Sequence, residues 1–200
     1  MLAQVILSIA ALTASGAPAA GEHLLAGAGA FREGRFDVAL VEFRVAEKLG
    51  DPDAGAYSAA SLVKLGRAEE AVETFALSPP GDDELLDWYR AVACYQARLY
   101  TCADRLLAGL ERAGPRVSAE VAALRAEVGR VLAPEPPAVS IDWYLARCEA
   151  KRDAARPALA AAYCREASGL GARRTDRHGV SRAAALLAEL ARAPGNMEGK

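Results

Sequence analysis

Residues 61–77, SLVKLGRAEEAVETFAL, hold the end of one helix, a turn, and the start of a second helix that must fold back on the first. Leu62 and Leu65 lie three apart on one helical face, and Gly66 can take the positive φ that a helix needs at its exit. Glu69 and Glu70 then fall in the first turn of the next helix, where unpaired N–H groups favour negative charge. Ala71, Val72 and Phe75 recur at three-to-four spacing as its buried face. Two helices joined by so short a turn make an antiparallel hairpin. A methyl-sized side chain at Ala71 lets the paired helix approach to roughly 8 to 10 Å between axes.

The rest of the chain repeats this unit. Gly34 and Gly66, Ala39 and Ala71, and Phe43 and Phe75 are each 32 residues apart, and a further 32 reaches Arg98, Ala103 and Leu107. The first hairpin carries Leu24, Leu25, Ala28 and Phe31 on one helix, then Phe36, Ala39, Leu40, Phe43 and Ala46 on the other. Arg98 stands where glycine is expected, so the third turn needs another way out of its helix. Pro52, Pro79, Pro80 and Pro115 fall between hairpins, where a helix cannot continue. Farther on, Val117, Val121, Leu124, Val128 and Val131 form one apolar stripe on a helix that ends near Ala133. After the proline-rich residues 133–139, Ser140 is placed to cap a helix over 141–155. Pro157 opens another helix reaching Ser168, which Gly169 and Gly171 end. Trp143 and Tyr144 echo Trp88 and Tyr89, and Ala158 lies as far from Trp143 as Ala103 does from Trp88, giving a fourth, degraded hairpin. A last helix over 179–192, with Val180, Leu186, Leu187 and Leu190 inward, is expected to cover the open end of the stack.

The sequences GRFDVAL at 34–40 and GRAEEAV at 66–72 resemble the central turn of the tetratricopeptide repeat, and the resemblance covers about residues 23–113. It implies an all-α fold of antiparallel hairpins stacked as a right-handed superhelix, whose concave face commonly holds peptides. The period here is 32 rather than 34, and the large aromatic early in the first helix of a repeat is seen only at Trp88. A sibling repeat such as the Sel1-like class remains an alternative. The expected organisation is an export signal over 1–20, three hairpins over 21–113, degenerate repeats and a capping helix over 114–194, and a loose tail over 195–200.

Phe31, Val63 and Tyr95, followed by Arg32, Lys64 and Gln96, are also 32 apart near the ends of successive first helices. The resemblance implies that these helices form a concave wall, with Phe31, Tyr95 and Trp88 as apolar contacts and Arg32 and Lys64 as cationic ones. The plain alternative is a solvated face that repeats because the array repeats. The family's lysine and asparagine clamp for a peptide carboxylate is missing, since Leu24, Ala28, Ala56, Ala60 and Val92 occupy the corresponding surface.

With 52% hydrophobic and 25% charged residues, the chain has ample material for a core, and 6% aromatics with few β-branched runs favour helix. A net charge of −2 argues against broad binding to nucleic acid or an anionic membrane. Residues 1–21 carry no charged side chain, and the apolar run 2–14 precedes Ala17-Pro18-Ala19, which resembles an export signal that lacks Lys or Arg before its core. An uncleaved anchor and an ordinary first helix are the competing readings; the run is short of the ~20 residues that span a bilayer. The localisation expected is the periplasm or another part of a bacterial cell envelope.

Four cysteines in such a chain point to bridges, and the spacing favours Cys94 with Cys102 and Cys148 with Cys164 among three pairings. Four buried thiols are the alternative. His23 and His178 stand at no ligand spacing, so no metal is expected, and the run Gly27-Ala28-Gly29 reads as a close helix contact, not a dinucleotide loop. Residues 171–179, GARRTDRHG, read as a solvated basic loop. The expectation is a scaffold without cofactor or catalytic residues that binds a protein or peptide. An envelope enzyme, or a subunit that positions an enzyme's active site, is the alternative.

Overall fold

A computed structural model of the chain describes residues 18–78, 83–113, 118–133 and 139–192. The described residues form ten helices and no strand, so the protein is all-α. They are α1 (Pro18–Arg32), α2 (Phe36–Lys48), α3 (Ala54–Lys64), α4 (Ala68–Leu77), α5 (Glu84–Gln96), α6 (Tyr100–Ala113), α7 (Ser118–Leu132), α8 (Ile141–Asp153), α9 (Pro157–Arg173) and α10 (Arg177–Arg192). None of these helices is long and apolar enough to cross a membrane. Residues 1–17, which hold the apolar run, and residues 195–200, expected as a tail, lie outside the described residues, as do Pro79, Pro80, Pro115 and Val117. The boundary drawn at residue 20 falls inside α1, where Ala20 is fully buried.

One turn geometry recurs. Gly34, Gly66 and Arg98 have φ of 78°, 73° and 63°, and Gly50, Ala155 and Thr175 share the left-handed region at 92°, 55° and 55°. In each, the left-handed residue and its successor donate N–H bonds back into the last turn of the preceding helix, as when Gly66 N reaches Val63 O and Arg67 N reaches Leu62 O. The same pair is made at Arg98 to Tyr95 and Leu99 to Cys94, and at Ala155 to Arg152 and Arg156 to Lys151. This pair of hydrogen bonds satisfies carbonyls a helix end leaves orphaned. The third turn thus leaves its helix as the first two do, with arginine itself in the left-handed conformation.

Five residues past four of these turns stands an alanine with no exposed surface: Ala39, Ala71, Ala103 and Ala160. The fourth member is therefore Ala160, two residues past the expected Ala158, which is half-buried, because the register runs from the turn and not from the tryptophan. Gly27 serves the same close approach in the first hairpin: a Cβ there would lie 2.7 Å from the Phe43 ring, which stacks on Tyr57 at 5.4 Å. Leu65, expected on the buried face, caps α3 and is 37% exposed.

The first three hairpins pack in chain order, α2 on α3, α3 on α4 and α5, α4 on α5, and α5 on α6, with α7 against α6. The fourth does not follow them. Helix α9 lies against α4 and α6, while α8 and α10 pack on α9 and on each other. With α9 against α4 and α6, the C-terminal helices return across the second helices of hairpins two and three, and the last helix, α10, packs on α8 and α9. Gly169 and Gly171, expected to end α9, lie within it as close-contact positions, since Cβ atoms there would lie 2.7 Å from Thr101 Oγ1 and 2.9 Å from Val180 Cγ2. The expected loop 171–179 is mostly helix for the same reason.

Substituting Ala71→Arg forces a long side chain into a fully closed contact and is expected to lower stability by about 3 kcal/mol, against less than about 0.5 kcal/mol for exposed Lys64→Ala, read by urea denaturation. Ala155→Gly relieves an alanine held at φ 55° and is expected to raise stability by about 1 kcal/mol in the same assay.

Candidate functional site

The seven residues expected to line a concave groove divide sharply. Phe31, Val63 and Trp88 are 5%, 4% and 6% exposed and belong to the core, so they offer nothing to a ligand. Phe31 meets Phe36 and Tyr89 edge to face, at 5.2 and 5.7 Å between centroids. Val63 is closed off because α3 is buried from Ala54 through Val63, enclosed by α2, α4 and α5, with no free face to present, while Phe31 of α1 and Trp88 of α5 belong to the same core cluster. Tyr95 is half-buried and edge-on to Tyr100 at 5.9 Å. Arg32, Lys64 and Gln96 remain exposed, and each is the last residue of its helix, α1, α3 and α5. Neither cation has an acidic partner among the described residues; Lys64 Nζ instead lies 5.9 and 5.5 Å from the ring centroids of Phe36 and Tyr89.

The cysteines pair as Cys94–Cys102 and Cys148–Cys164, with Cα atoms 6.0 and 5.3 Å apart. The first ties α5 to α6, the second α8 to α9, each across a left-handed turn.

The contact between the two halves is polar at its centre. Helix α6 begins after Leu99, which has no side-chain acceptor, and the missing cap comes from α9. The Glu166 carboxylate, 2% exposed, accepts from Thr101 N at 2.6 Å, Thr101 Oγ1 at 2.7 Å and Cys102 N at 3.0 Å. Burial pushes this carboxyl above the usual glutamate value, although the bonds from Thr101 and Cys102 pull it back. A raised folded value means its contribution to stability is full below the ordinary range and falls as pH rises through the raised one. Gly169, one turn on, leaves the space that Thr101 occupies. No motif in the sequence marks Glu166 as a cap, because its partner is 65 residues away.

A second cluster sits at the turn end of the same contact. Glu69 of α4 accepts from Lys151 Nζ at 2.5 Å and from the Tyr163 hydroxyl at 2.8 Å, and Arg156 reaches it at 3.6 Å while donating to Glu73 at 2.8 Å. Burial pushes the Glu69 carboxyl up, but these hydrogen bonds and the charges of Lys151 and Arg147 outweigh it and hold the carboxyl below its ordinary value. Burial also lifts the Tyr163 hydroxyl, and its bond to Glu69 lifts it further, so it stays a donor throughout the neutral range. The Tyr144 hydroxyl donates to Arg98 O at 2.5 Å, and the Arg98 guanidinium lies 5.1 Å from the Trp143 ring centroid. The non-glycine third turn is thus held from α8.

Two clefts flank α9. One, about 360 Å³, opens at the turns between Arg67, Arg98, Trp143 and Arg147. The other, about 490 Å³, lies between α4, α5, α6 and α9, with Val72, Phe75, Leu99 and Ala162 among the apolar residues lining it. Of the basic residues read as a loop, Arg173 pairs with Asp104, and Arg174 donates to Val139 O at 2.8 Å. No family model matches the chain, and no curated protein or solved structure matches it either.

Because the folded Glu69 value is depressed, its contribution is present above the ordinary glutamate range and is lost as pH falls through the lowered value. Glu69→Gln is expected to lower stability by about 1 kcal/mol at pH 7, allowing for solvent screening, with the difference from wild type shrinking as the pH is taken below the ordinary glutamate range in denaturant titrations.

Proposed function

We propose that the chain is a non-catalytic interaction scaffold of the tetratricopeptide-like kind, exported to a bacterial cell envelope, that holds an acidic stretch of a partner protein across the ends of its first helices. The observation that carries this reading is the row Arg32, Lys64 and Gln96: equivalent positions on three hairpins, all exposed, two of them cations without an acidic partner among the described residues. Supporting the repeat reading are the left-handed residues at 34, 66 and 98 and the buried alanines five positions after each. An extended acidic peptide suits exposed cations at equivalent positions of successive hairpins, and none of this requires a cofactor or metal. The two cysteine bridges fit an oxidising compartment and so support export.

Helix C-termini favour cations, so part of the role of Arg32 and Lys64 is local. What distinguishes a binding row is its response to charge reversal with an intact fold. In capture from an envelope extract, wild type is expected to retain a stoichiometric protein partner more tightly at low salt, and Arg32→Glu with Lys64→Glu to weaken it by about tenfold or more, roughly 1.4 kcal/mol. A partner held equally by both variants, or substrate turnover by the isolated chain, contradicts the proposal.

A further inference from the structure

The cleft between α4, α5, α6 and α9 carries more positive charge than its own acids answer. Arg90 on its rim is held by Asp87 at 3.2 Å and lies 5.1 Å from the Phe75 ring centroid, and Arg173 is held by Asp104. Glu166, the acid lining the cleft, is already engaged by three donors at the start of α6. That leaves Arg105 of α6 and Arg165 of α9, neither with a hydrogen-bond or ion-pair partner among the described residues. Both line the cleft, and although Arg165 keeps exposed surface, its partial burial first and then the Arg105 charge push its guanidinium down from the ordinary value.

The same cleft is lined by the apolar side chains of Val72, Phe75, Leu99 and Ala162, taken here together as its floor. A volume of about 490 Å³ falls in the range of pockets that enclose small molecules. Paired guanidiniums match the two oxygens of a carboxylate, and an apolar floor gains from covering hydrocarbon. We propose that this cleft binds an organic acid, its carboxylate between Arg105 and Arg165 and its apolar body on the floor between α4 and α9. The site is separate from the row at the hairpin turns and stands or falls independently of it. Binding is non-covalent and leaves the ligand unchanged.

Titration calorimetry of the full chain with decanoate tests the assignment. One decanoate per chain is expected to bind, more weakly as salt is raised, while decanol, which lacks the charge, and inorganic phosphate, which lacks the apolar body, bind about tenfold more weakly or less. Arg105→Gln, on an exposed residue that leaves the fold intact, and Arg165→Gln are each expected to weaken decanoate about tenfold with thermal melting unchanged. Ala162→Trp, which fills the floor, is expected to remove binding of decanoate. Equal affinity for decanol or phosphate, equal affinity in Arg105→Gln, or no uptake of decanoate at millimolar concentration overturns the proposal.

Discussion

The arrangement of this protein depends on a carboxylate that leaves its own helix to finish another. The first N–H groups of α6 have no intrahelical acceptor, and Leu99 before them has none to lend. Glu166 supplies the acceptor from α9, and the burial that makes its charge expensive also makes the N–H groups expensive to abandon. The two demands are met only when α9 lies where it does, one glycine-wide gap from Thr101. From that placement follow the return of α8 and α10, the grip of Tyr144 and Trp143 on the third turn, and the walls of the cleft that Arg105 and Arg165 share.

A second, more local rule governs the hairpins. A left-handed residue closes each turn with a pair of backward N–H bonds, and the residue five positions later meets the partner helix without a gap. Glycine meets the first demand without strain at 34 and 66. At 98 and 155 other residues do it, and Arg98 is held in place from outside by the Tyr144 hydroxyl and the Trp143 ring.

This division explains what could be read from the residues and what could not. The helical class, the first two turns, and burial of Ala39, Ala71 and Ala103 follow from short-range patterns of glycine and alanine, and those patterns are legible. Glu166 was not, since an acid in an amphipathic stretch looks like a solvated one until its partner 65 residues away is known. Gly169 and Gly171 misled for the same reason, because a glycine that ends a helix and a glycine that admits a neighbour have the same letter. Of the candidate site, the exposed cations at helix ends were legible, whereas the burial of Phe31, Val63 and Trp88 depended on long-range packing into one core, for Val63 on how tightly α3 is enclosed. The cleft under α9 has no sequence signature, being assembled from four helices that only the long-range cap brings together.

Native-state hydrogen exchange at single amides measures that cap directly. The account predicts that the N–H groups of Thr101 and Cys102, though in the first turn of a helix, exchange as slowly as amides in the middle of α6, and far more slowly than those of Asp142 and Trp143, whose helix follows Ser140 without a side-chain cap bond. Exchange at Thr101 and Cys102 as fast as at Asp142 and Trp143 would show that Glu166 does not hold α6, and the closure of the C-terminal helices over α4 and α6 would go with it.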